Sequence, residues 1–141
     1  MIKYLMALFL VAGMGFSSAA QAAPKDDFAA YWSQFRTAIM ADDWAAVQKL
    51  TAATVTVHGQ LDVDPAEKVS REKLKSAFNG VLQQDTGMAA ETLTNKQLID
   101  QTPTLLEGKN FSLRDKTARV GDMVFRYMKG QWMLAEIYLE R

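Results

Sequence analysis

The run KTARVGDMVFRYMKGQWMLAEIYLE, residues 116–140, decides the fold. It is rich in apolar and aromatic residues and is interrupted at Lys129-Gly130, where a glycine in a two-residue loop suits a primed hairpin turn. Two antiparallel strands are expected around that turn. With Met128 opposite Gln131, Tyr127 faces Trp132, Phe125 faces Leu134 and Met123 faces Glu136. Alternation then places Met123, Phe125, Tyr127, Trp132, Leu134, Glu136 and Tyr138 on one side. Val124, Arg126, Met128, Met133, Ala135, Ile137 and Leu139 fall on the other. Both sides are largely apolar, whereas a sheet with one wet face alternates apolar and polar residues. The ribbon is therefore expected to be covered twice: by helices on one side, and by a second subunit or a bound ligand on the other.

Working back from this ribbon, Phe28, Tyr31, Trp32, Phe35 and Ile39 recur at helical spacing. They predict a helix from Asp27 to Met40, with Asp26 or Asp27 as its N-cap. Such a face packs a core, or lines a ligand cavity with one or two of its rings. ADD, residues 41–43, ends this helix. Asp42 or Asp43 then caps a short second helix on which Trp44, Val47 and Leu50 share a face, making an αα-hairpin. TVTVHG, residues 54–59, alternates β-branched residues and reads as a strand. Val55 and Val57 point one way; Thr54, Thr56 and His58 point the other.

QLDVDPAEK, residues 60–68, reads as a loop. Asp62-x-Asp64 lacks the further oxygen ligands, the central glycine and the closing glutamate of a calcium loop, so no metal is expected. Ser70 is the expected cap of a third helix with Leu74, Ala77, Phe78, Val81 and Leu82 on its buried face. Between 88 and 110, Leu93, Leu98 and Ile99 fit a short helix. Pro103 marks a boundary, and TPTLLEG, residues 102–108, fits a strand or an irregular segment.

The two ends of the chain resemble a known fold. FAAYWSQFRTAIMADDWAAVQKLTAATVTVHG, residues 28–59, joins an aromatic helix, an Asp-Trp break, a short helix and a strand. GQWMLAEIYLE, residues 130–140, closes the chain. Together they cover about half of the mature chain and resemble small periplasmic members of the nuclear-transport-factor-2-like (NTF2-like) superfamily. The resemblance implies an α+β cone in which N-terminal helices pack on a curved antiparallel sheet. It also implies a pocket between the first helix and the sheet, and often a homodimer across the sheet's outer face. Some enzymes of that superfamily, ketosteroid isomerase among them, combine a carboxylate base with an oxyanion hole. That constellation has no residue-by-residue counterpart here.

The N-terminus predicts export. Lys3, an apolar run from Tyr4 to Phe16, and Ala20-Gln21-Ala22 form the three parts of a cleavable signal peptide. The run is shorter than the roughly 20 residues a membrane span needs, and no cysteine follows it to carry a lipid. The expectation is a periplasmic protein with a leader at 1–22 and one domain at 23–141, with no membrane contact after cleavage. The chain has no cysteine, which excludes thiol nucleophiles, thiolate zinc sites and disulfides. Cleavage removes Lys3 and no acid from 16 basic and 16 acidic residues, leaving one net negative charge. That balance gives no reason to expect nucleic acid.

His58 is the only histidine. It has neither a nucleophile motif nor an evident orienting partner, so two readings stand: an ordinary strand-end residue, or a base. Glu136 is the more informative carboxylate, because the register above sets it among Phe125, Tyr127, Trp132 and Tyr138. Arg126, on the opposite side, anchors an acidic ligand or simply lays its stem along the sheet. The ligand-binding candidates are Tyr31, Trp32, His58, Tyr127, Trp132, Glu136 and Tyr138. No catalytic residue and no cofactor is assigned. The expected function is non-catalytic binding of a small apolar or amphipathic ligand in the cone. One alternative is a protein–protein interaction module using an apolar sheet face; another is an isomerase- or hydrolase-type enzyme using Glu136 or His58.

Overall fold

A computed structural model describes residues 24–86, 93–109 and 111–140. The expected leader lies outside the described residues. The described chain is α+β, with four α-helices against a curved six-stranded sheet. The elements run α1 Pro24–Met40, α2 Trp44–Lys49, β1 Thr51–His58 and β2 Glu67–Ser70, then α3 Lys75–Gln83 and α4 Asn95–Gln101. They end with β3 Ser112–Arg114, β4 Thr117–Val120, β5 Met123–Met128 and β6 Gln131–Tyr138. The strand order is β2-β1-β6-β5-β4-β3. All neighbours are antiparallel except β1 and β6, which run parallel. The sheet is thus mixed where the resemblance implied an antiparallel one.

Several local expectations change. Helix α1 begins at Pro24, before the expected start; proline suits a first turn, whose amides have no helical partner. Asp43 is the cap of α2, accepting from the Ala46 amide at 3.1 Å. Ser70 makes no side-chain cap. It ends β2, a strand that begins inside the stretch read as loop, and Arg71–Lys73 form a short 3-10 turn before α3. Thr94 and Gln97 form a reciprocal capping box at α4, and 102–106 is irregular.

The terminal hairpin forms as expected around Lys129 and Gly130, whose φ values of 51° and 80° suit a primed turn. Met128 pairs with Gln131, Tyr127 with Trp132 and Phe125 with Leu134. Beyond that point the expected register fails. Val124 pairs with Glu136 and Met123 with Ile137, so Ala135 is an extra residue in β6, a β-bulge. Because side chains alternate with a period of two, one inserted residue exchanges faces for everything beyond it. Ile137 turns inward and is fully buried, while Glu136 and Tyr138 turn outward, onto the face of Arg126. The ribbon therefore has one wholly apolar side, and its other side mixes Val124, Met128 and Met133 with Arg126, Glu136 and Tyr138.

Helix α1 fills the inner face. The fully buried Phe125 ring lies 5.1 to 6.1 Å from the rings of Phe28, Tyr31, Trp32 and Phe35. Phe28 also meets Trp132 at 4.7 Å, edge to face. Hydrogen bonds tie the helices across this cluster. Trp32 Nε1 donates to the Thr102 carbonyl at 2.8 Å. Arg36 donates to the carbonyls of Ile99 and Asp100 at the end of α4, where free carbonyls and the helix dipole favour a cation. Below α3, Asp122 Oδ2 accepts from Gln84 Nε2 at 2.9 Å and Asn95 Nδ2 at 2.7 Å, while the Asp122 amide donates to Asn95 Oδ1. This buried carboxylate is held by neutral donors and joins α3, α4 and the β4–β5 turn.

Candidate functional site

The layer between α1 and the inner face of the curved sheet is filled with rings, and one concave space lies at the mouth of that layer, beside the β5–β6 turn. There a cavity of about 310 Å³ opens between the first half of α1, the end of α2 and the β5–β6 turn. Tyr31, Tyr127 and Trp132 form its aromatic wall, and Asp27, Gln34 and Lys49 supply polar groups. Tyr31 comes from α1 and is buried. Its hydroxyl donates to the Leu50 carbonyl at 2.6 Å, and that carbonyl also accepts the Leu134 amide. Burial raises the Tyr31 pKa well above the ordinary tyrosine value, opposed by hydrogen bonding at Leu134. Tyr127 and Trp132 face each other across the hairpin, their rings 5.6 Å apart and steeply inclined. A second cavity of about 340 Å³ lies beside the same half of α1 but on another side of the helix, against Phe28, Trp32, Leu105 and Phe111.

The structure divides the seven sequence candidates into three groups. Tyr31, Tyr127 and Trp132 meet at the mouth. Trp32 is a core residue whose indole N–H is already bonded to Thr102; it lines the second cavity. His58, Glu136 and Tyr138 stand on the outer face of the sheet and line none of the cavities described here.

The outer cluster has its own geometry. β1 and β6 run side by side, so His58 pairs with Tyr138 and Thr56 with Glu136. The His58 and Tyr138 rings stack at 4.7 Å with an interplanar angle of 15°, and the Arg119 guanidinium sits 4.7 Å over the Tyr138 ring. Arg119 Nε also donates to the Gly121 carbonyl at 3.1 Å. Arg126 donates to Glu136 Oε2 at 3.2 Å and to Thr117 Oγ1 at 3.3 Å. His58 Nε2 approaches Glu136 Oε1 at 3.7 Å, too far for a hydrogen bond, and finds no other partner among the described residues.

Glu136 is thus not set among apolar rings as the unbulged register required; Arg126 holds it on the charged side. Arg119 was not singled out in the sequence. Its signal was present in alternation: in TARV, residues 117–120, arginine is flanked by two small or apolar residues that turn inward. Among the described residues, no three histidine, aspartate or glutamate side chains gather as a metal site, and no helix is long and apolar enough to cross a membrane.

No family model matches the chain and no curated protein matches it. Among solved structures it is similar to a DUF4783 family protein from Bacteroides ovatus, with a TM-score of 0.44 and 11% identity. The match covers 77% of this chain and 92% of that one.

Proposed function

We propose that this chain is a periplasmic, non-catalytic member of the NTF2-like superfamily that binds a small amphipathic molecule at the mouth of its cone. The observation that carries this reading is the meeting of Tyr31, Tyr127 and Trp132 on one cavity bordered by Lys49, Gln34 and Asp27. A mostly apolar wall with a few polar groups is the usual composition of a small-molecule site. The packed interior favours a ligand that lies against the mouth over one swallowed by the cone. The α+β layering, with α1 along the inner face of a curved sheet, supports the superfamily. The leader pattern at 1–22 supports the compartment. Catalysis is not proposed: His58 and Glu136 line neither of the two cavities described above, and one oxygen of Glu136 is engaged by Arg126.

Titration with the amphipathic probe 1-anilinonaphthalene-8-sulfonate, with native mass spectrometry of protein isolated from the periplasm, tests the reading. Saturable binding is expected, weakened several-fold by Tyr127→Ala, a half-buried position whose loss leaves the core intact. Unsaturable binding, or binding indifferent to Tyr127→Ala and Lys49→Ala, overturns it. A mature mass beginning at Ala23 is expected for the exported form.

A further inference from the structure

Even with Glu136 turned outward by the bulge, the strands of the sheet carry an excess of positive charge on their outer face. Lys68 on β2, Arg126 on β5, Arg119 on β4 and Arg114 on β3 all project from it, by strand alternation and pairing. Among the described residues, Glu136 is the single strand carboxylate on the same side. The whole chain is neutral, so this face departs from the charge of the molecule. From β2 to β3 the patch crosses five strand intervals, roughly 24 Å at about 4.8 Å each. That span is far wider than a small anion and matches one side of a protein contact.

Two of the cations are pre-positioned. Arg119 is pinned by the Tyr138 ring and by its bond to the Gly121 carbonyl. Arg126 is held by Thr117 and Glu136. A guanidinium already fixed loses less freedom on meeting a carboxylate.

We infer that this outer face docks an acidic protein segment. Charge complementarity selects that partner: a carboxylate-bearing surface meets the cations, and its apolar side chains meet Tyr138. A second copy docked face to face would set arginine against arginine, an arrangement that costs affinity. A nucleic-acid backbone carries closely spaced charge and would be repelled by Glu136 at the centre of the patch. This inference rests on the sheet's outer face and is independent of the mouth cavity.

The test uses the full mature protein and a fluorescein-labelled peptide of alternating glutamate and leucine, followed by anisotropy. Saturable binding at low salt is expected, weakening roughly tenfold or more as salt rises through the range where the screening length drops below 10 Å. The Arg114→Glu/Arg119→Glu variant, at exposed positions, is expected to lose binding while keeping the wild-type circular dichroism and bound anilinonaphthalene probe. Arg119→Lys retains the charge and is expected to bind with intermediate affinity. The inference is overturned by absent binding, by binding unchanged in the double variant, by tighter binding to phosphatidylglycerol vesicles or duplex DNA, or by sedimentation showing a dimer that the double variant does not weaken. Should the double variant misfold, Lys68→Glu carries the same test from the opposite edge of the patch.

Discussion

His58 Nε2 lies 3.7 Å from Glu136 Oε1 across the parallel pairing of β1 and β6, while the other oxygen of the same carboxylate is held by Arg126. The three side chains are partly open to water, at 29%, 20% and 44% exposure for His58, Glu136 and Arg126. Ion pairs in such surroundings contribute little, typically about 0–1 kcal/mol. Glu136→Ala is therefore expected to shift stability by no more than about 1 kcal/mol in urea unfolding. Its neighbour Ile137 is fully buried, and Ile137→Ala is expected to cost about 2–5 kcal/mol. The opposite ranking would restore the unbulged register.

Phe125 is the ring that four aromatic residues of α1 surround. Phe125→Ala is expected to destabilise by about 3–5 kcal/mol, the usual range for a buried aromatic. Phe125→Leu is expected to cost less, because it keeps most of the apolar volume. Thermal denaturation of the two variants checks the order.

Gly121 has a φ of 54°, and a Cβ there would meet Asn95 Oδ1, the acceptor of the Asp122 amide. Gly121→Ala therefore strains the backbone and disturbs a buried polar network together. The expected loss is at least about 2 kcal/mol, from the left-handed penalty and an unsatisfied buried group. Gly108 also has a positive φ, but its Cβ position is open. Gly108→Ala is expected to cost only the conformational part, about 1 kcal/mol.

Tyr31 gives the pH dependence. Burial raises its folded-state pKa above the ordinary value near 10, so the folded protein holds this proton more tightly than the unfolded chain. The stability tied to that proton is fully present below the unfolded pKa. It is lost as pH rises from there through the folded pKa. Tyr31→Phe is expected to cost about 1 kcal/mol at neutral pH through the lost hydrogen bond to Leu50, and to flatten the alkaline decline. Urea midpoints at pH 8, 10 and 11 for both proteins check it.

The long amphipathic elements were legible because burial imposes their periodicity. Phe28, Tyr31, Trp32 and Phe35 do form the inner face of α1, and the Lys129-Gly130 turn sets the hairpin register as far as Leu134. Past that point, the bulge at Ala135 follows from how β6 meets both β1 and β5, a tertiary demand that leaves no local mark in LAEIY. Its consequence was large, since it moved Glu136 and Tyr138 to the other face and assembled the cluster with His58 and Arg119. β2 was hidden because EKVS is short, polar and on the sheet edge. The capping box at α4 was written openly in TNKQ, residues 94–97, but sits in a segment with little apolar periodicity.

The division of the sheet into an apolar inner face and a charged outer face is best tested by thiol reactivity, since the chain has no cysteine of its own. Glu136→Cys and Ile137→Cys are each treated with Ellman's reagent in the native state and in denaturant. The thiol at 136 is predicted to react in the native protein, and the thiol at 137 only after unfolding. A protected thiol at 136 with a reactive one at 137 would contradict the bulge, and with it the faces assigned to every residue beyond Ala135.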